Sequence, residues 1–179
     1  MADKLEFIKT VDGATGTAAV GVDNAFNHGY DSYFVTVEGL TIDGNRSPFM
    51  RLLDSSGSEI VGSNYDRATF SINSSGGSAQ YKNVNSSEWL YIPSLYINGP
   101  SGGDLNSFAS FYVWNAEESS SYTMITAQGG DNVSHLSAVK TIAVLTTAGA
   151  NRGFNFKYVS GTSNNFNGGT ISIYGVKDS

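Results

Sequence analysis

Apolar and polar residues alternate with period two at both ends of this chain. In TISIYG, Ile171 and Ile173 share one parity, while Thr170, Ser172 and Tyr174 share the other. That is the pattern of a half-buried strand. GFNFKYV sets Phe154, Phe156 and Tyr158 against Asn155 and Lys157, and KLEFIKTV sets Leu5, Phe7 and Lys9 against Glu6, Ile8 and Thr10. YDSYFVTVEGL concentrates β-branched and aromatic residues over Tyr33 to Val37, and PFMRLLD runs into the turn-forming DSSGSE. EIV, RATFSI, EWLYIPSLYI, SFASFYVWN and SYTMITAQ continue the series, with Pro93 marking an edge, bulge or kink. LSAVKTIAVL has apolar residues at helical spacing, but Lys140 would sit on that face and Val, Thr and Ile dominate, so it reads as a strand.

Nine or ten strands with no competing helix predict an all-β fold, an antiparallel, jelly-roll-like β-sandwich. No period of tens of residues recurs, which argues against a propeller or solenoid. DGATGTAAVGVDN, SINSSGGSAQYKNVNSS, NGPSGGDLNS and GTSNNFNGG read as loops. The expected organisation is an N-terminal strand or arm with a glycine-bearing loop over residues 1–24, then the sandwich over 25–179. The arm has two destinations: a neighbouring subunit's sheet edge, as in β-augmentation, or its own sheet. The terminal strand is expected to pair inside a sheet and so pin the C-terminus.

Composition narrows the function. Charged residues make up 15% of the 179 positions and glycine 21 of them, so the surface is built largely from Ser, Thr, Asn and Gly. The net charge is −6, and the 10 basic residues form no run, which excludes nucleic acid as an expected partner. With no cysteine there is neither a disulfide framework nor a thiolate metal site. No apolar run approaches a membrane span, and MADKLEFIKT carries charges where a secretory leader needs an apolar segment. Synthesis in a host cytoplasm, without a membrane partner, is the expectation. NRS, NSS and NVS match the glycosylation tripeptide, read here as coincidence in a chain rich in Asn and Ser.

Catalytic chemistry finds little to stand on. His28 and His135 are far apart, no GxSxG elbow occurs, and FNHGY reads as a turn. Glu117 and Glu118 lie in EESSS, read as a solvated loop rather than a glycosidase pair. IDGN, GGDLN and GGDN each supply one acid, which suits a tight turn better than a calcium ion's six or more oxygens. No enzyme activity, metal or cofactor is expected. The aromatic residues Trp89, Tyr91, Tyr96, Tyr112 and Trp114 cluster around two strands expected to be adjacent. Trp89 and Tyr91 share a parity, as do Tyr112 and Trp114. Such pairs fill a core, form an interface, or stack on sugar rings. A buried tryptophan among them would cost about 3–5 kcal/mol on truncation to alanine.

Three stretches carry a resemblance. GYDSYFVTVEGL, MRLLDSSGSEIVGSNYD and NFNGGTISIYGVKDS resemble the opening strand, following hairpin and closing strand of small β-sandwich structural proteins in the virions of tailed phages, especially marine ones. The resemblance covers about a quarter of the chain and carries no catalytic residue. It implies a virion component in symmetric copies: a capsid-surface decoration protein by preference, a tail or baseplate module as the alternative. The expected partners are the chain itself, as a homotrimer, and a capsid or tail protein. A carbohydrate-binding adhesin using the Trp89/Trp114 region is the competing class.

Overall fold

A computed structural model describes residues 4–13, 16–42, 48–76, 80–87, 90–91, 108–132, 136–157 and 165–177. Among these every regular element is a strand: β1 (Lys4–Asp12), β2 (Ala19–Val22), β3 (Ser32–Glu38), β4 (Thr41–Ile42), β5 (Phe49–Asp54), β6 (Tyr65–Asn73), β7 (Gln80–Ser87), β8 (Leu90–Tyr91), β9 (Phe108–Trp114), β10 (Met124–Asn132), β11 (Leu136–Leu145), β12 (Asn151–Lys157), β13 (Phe166–Asn167) and β14 (Thr170–Lys177). An eight-stranded sheet runs β1-β14-β3-β9-β10-β11-β6-β7, a four-stranded sheet runs β2-β12-β5-β8, and β13 pairs with β4. All pairings are antiparallel. The all-β antiparallel sandwich expected from the alternation is the fold.

The two sheets meet through the inward-facing side chains of their strands. The large sheet contributes Val35, Val37, Phe111, Val113, Ile125, Ile171 and Ile173, and the small sheet Val20, Val22, Met50, Leu52, Phe154 and Phe156, all buried. Phe111 reaches across to both phenylalanines of β12, with ring centroids 5.6 Å from Phe154 and 6.4 Å from Phe156. Phe26 stacks on Phe154 at 5.8 Å and closes one end. Each such side chain, fully buried, stabilises by roughly 1.5–3 kcal/mol. The sandwich is held by these contacts.

The terminal strand is paired on both sides, with β1 and with β3. One glycine within it and one just before it are steric requirements. At Gly175 a Cβ would run into the Tyr30 ring, and at Gly169, where φ is +89°, it would run into the Leu40 backbone. Over residues 4–13 and 16–24 the chain is built into the body. β1 lies beside β14 in its own sheet, and β2, within the expected loop, carries buried Val20 and Val22 to β12. Gly21 and a length of only four residues hid β2. β7 likewise falls in an expected polar loop, because it is an edge strand with few apolar residues. GGDN belongs to β10 rather than to a turn. IDGN, of which only Ile42 is described, GGDLN, Pro93, His135 and Tyr158 lie outside the described residues.

Glu117, expected in a solvated loop, anchors one end of the sandwich. Its Oε1 accepts from the Tyr33 hydroxyl and from the backbone N–H groups of His28 (3.2 Å) and Gly29 (2.9 Å). The turn holding His28 is thereby tied to the loop after β9. Tyr65, also buried, donates to the Ile60 carbonyl at 3.1 Å and accepts from the Leu52 N–H at 3.2 Å. Burial, and after it the hydrogen bond to Glu117, raises the Tyr33 phenol far above its ordinary range, and burial pushes Tyr65 up to about 12. In the unfolded chain both would ionise near pH ~10. Their contribution is therefore complete below that pH and is lost as pH rises through the folded values. Denaturant midpoints measured against pH should fall above pH ~10, and Tyr33→Phe should flatten that fall.

Candidate functional site: the outer face of the large sheet

The large sheet has one face against the core and one turned away from it. Along β9, Ala109, Phe111 and Val113 are buried, while Phe108, Ser110, Tyr112 and Trp114 point outward. Period two then sends Phe34 of β3, Tyr174 of β14 and Phe7 of β1 to the same outer face. The register places Phe7, Tyr174, Phe34 and Tyr112 on one rung, each directly opposite the next. Their centroids are 5.8 Å apart for Phe7–Tyr174, 6.2 Å for Tyr174–Phe34 and 4.8 Å for Phe34–Tyr112. Trp114 continues the row, stacked on Tyr112 at 5.6 Å with 24° between planes. Cross-strand aromatic pairs of this kind contribute roughly 0.2–1 kcal/mol each. The ladder is an aromatic surface laid across four adjacent strands.

Exposure is high for such a surface: Phe7 61%, Trp114 42%, Met124 44% and Ile142 51%. Beyond the ladder, the other half of the face carries a shallow hollow of about 380 Å³ whose walls include Ala68, Met124, Ile142 and Val144. Charge is sparse. On the strands flanking the central β9–β10 pair, the outward charges are Glu38 on β3 and Lys140 on β11. Contiguous apolar surface with few charges marks an interaction site.

Ring geometry separates two uses of this surface. A pyranose stacks on an open ring face. At 4.8 Å and 39°, Phe34 and Tyr112 are too close to lie side by side in one plane, so each ring turns a face toward the other. The centre of the ladder is thus poor for stacking sugars and well suited to packing against apolar side chains. Trp114, at the end of the row, has no second stacking partner among the described residues.

Of the aromatic residues singled out in the sequence, Tyr112 and Trp114 form part of this ladder. Their strand is not adjacent to that of Tyr91: β8 is an edge of the small sheet, where Tyr91 pairs with Phe49. Trp89 and Tyr96 lie outside the described residues, as does the side chain of Tyr91. Phe7, Phe34 and Tyr174 were missed as site residues. Their parity was readable, but their meeting depends on β14 lying between β1 and β3, which no local pattern reveals.

Elsewhere the polar clusters serve the fold. Glu59 accepts from Lys157 at 2.6 and 2.7 Å, Asn155 at 3.0 Å and Arg51 at 3.1 Å. Burial alone would raise its pKa, but these three donors outweigh it and hold the carboxyl below its ordinary value. An ionised carboxylate clamped by two cations is a structural tie, with no proton to give at neutral pH. A smaller hollow of about 220 Å³ at the Glu117 end is bordered by Arg152, which is held by Asp23 through two bonds of 2.6 Å. No group of three or more metal-ligating His, Asp or Glu side chains comes together among the described residues.

No family model, curated protein or solved structure matches this chain.

Because Trp114 is half-exposed on the outer face, its truncation should be mild. Trp114→Ala is expected to cost about 1 kcal/mol, the scale of an aromatic pair, rather than the 3–5 kcal/mol of a buried tryptophan. Chemical denaturation of the two proteins side by side measures the difference.

Proposed function

We propose that this chain is a structural protein of a tailed-phage virion, sited by preference on the capsid surface, and that it works by protein–protein contact rather than catalysis. Two lines support the reading. The virion assignment is supported by the sequence resemblance of the opening strand, hairpin and closing strand. The mode of action is supported by one observation, the aromatic ladder laid across the outer face of the large sheet, with Phe7 and Trp114 exposed at its ends and the rings between them half-buried. An apolar face of this kind is most stable when another protein surface covers it, and a particle built of many copies supplies such surfaces. A tail or baseplate position uses the same contacts. The adhesin reading retains one observation in its favour, the exposed ring of Trp114.

Mass spectrometry of gradient-purified particles from the phage carrying this gene tests the assignment. The chain should be present in many copies per particle and co-purify with capsid protein. Its absence from particles, while expressed in infected cells, would overturn the assignment.

A further inference from the structure

Resting on the contact mechanism just described, we infer that the occupant of the outer face is a second copy of this chain, packed sheet on sheet about a two-fold axis parallel to the strands. Three observations converge on this pairing: area, shape and charge.

Area comes first. Eight strands spaced about 4.8 Å apart, each at least seven residues long at about 3.3 Å per residue, present roughly 900 Å². A stable interface takes about 800 Å² from each partner. The face is large enough on its own.

Shape is set by the register. The ladder rung continues from Tyr112 to Thr126, Ile142 and Ala68. On this rung bulky rings thus occupy the β1-to-β9 half, and the smaller Thr126, Ile142 and Ala68, beside the 380 Å³ hollow that Asp66 and Arg67 also line, occupy the β10-to-β6 half. A two-fold axis lying in the interface between β9 and β10 brings one half onto the partner's other half at the same level. Tyr112 then faces Thr126 of the second copy, and Phe34 faces the hollow beside Ile142. The next rung reverses the sizes: Thr36 and Ser110 on one half, Gln128 and Lys140 on the other. Large again meets small. On these two rungs the face is complementary to itself, the condition for an isologous pair, and at the Trp114 level the rotation sets each indole against the partner copy's Met124 thioether.

Charge follows the same axis. Glu38 on β3 and Lys140 on β11 each lie one strand outside the central pair, on opposite sides. The rotation sets Lys140 of one copy over Thr36 of the other, two residues from Glu38 and within a lysine's reach. Two such ion pairs form, one on each side. Within one chain the two residues are separated by β9 and β10, so they do not pair with each other. A face that meets itself about a two-fold axis gives a pair of chains, in place of the homotrimer expected from the sequence.

A charge swap tests this with the full chain. Sedimentation velocity across micromolar to submillimolar concentrations should show a dimer of the unmodified protein. Glu38→Lys and Lys140→Glu should each weaken it by about tenfold or more, because each creates two like-charge contacts. The double variant Glu38→Lys/Lys140→Glu should restore it to within about threefold, since both ion pairs re-form with reversed sign. Both residues are exposed, so near-UV circular dichroism should stay unchanged in all three. A protein that stays monomeric, a trimer, single variants without effect, or a double variant that fails to recover would each overturn the pairing. Detection in purified particles is independent of all four, so the pairing can fail while the virion assignment stands.

Discussion

The rest of the structure depends on the contact of Phe111 with Phe154 and Phe156 across the sandwich. It decides which parity of the large sheet is dry. Once Phe111 points inward, the pleat sends Tyr112 outward, and hydrogen-bond register extends that choice to Phe34, Tyr174 and Phe7. The aromatic ladder is therefore a consequence of how the core is built. A slip of one residue would bury the ladder and expose Val35, Val37 and Ile173, and the inner face's tight packing opposes it. Core and surface are two readings of the same strands.

Sequence and structure agree where period two is backed by burial on one face. β3, β12 and β14 were legible for that reason, and so was β11, whose β-branched residues outweighed its helical spacing. β7 was not, because an edge strand such as QYKNVNSS satisfies its backbone without an apolar stripe. β2 was hidden by its length and its glycine: Gly21 leaves room for the Asn155 side chain on the neighbouring strand, a demand invisible from local composition. Glu117 shows a third kind of failure. EESSS has the composition of a solvated loop, yet its first acid is held by a buried tyrosine and two backbone donors.

The candidate site was half legible. Tyr112 and Trp114 share a parity, and that parity is real. What the chain does not display locally is the strand order that brings residues 7, 34, 112 and 174 onto one rung. Non-consecutive neighbours in a sheet are the least predictable part of a β-fold, and this surface is made from them. Nor does composition show that the rings turn their faces to one another, the feature that favours packing against protein over stacking on sugar.

The central claim is that this outer face is covered by protein when the molecule assembles. Fluorescence of Trp114, isolated by Trp89→Phe, reports on it directly through acrylamide quenching at rising protein concentration. The account predicts that the quenching constant falls as the chain associates, because the indole at the end of the ladder becomes shielded. Association with no change in quenching would contradict it, since the chains would then be meeting through some other surface.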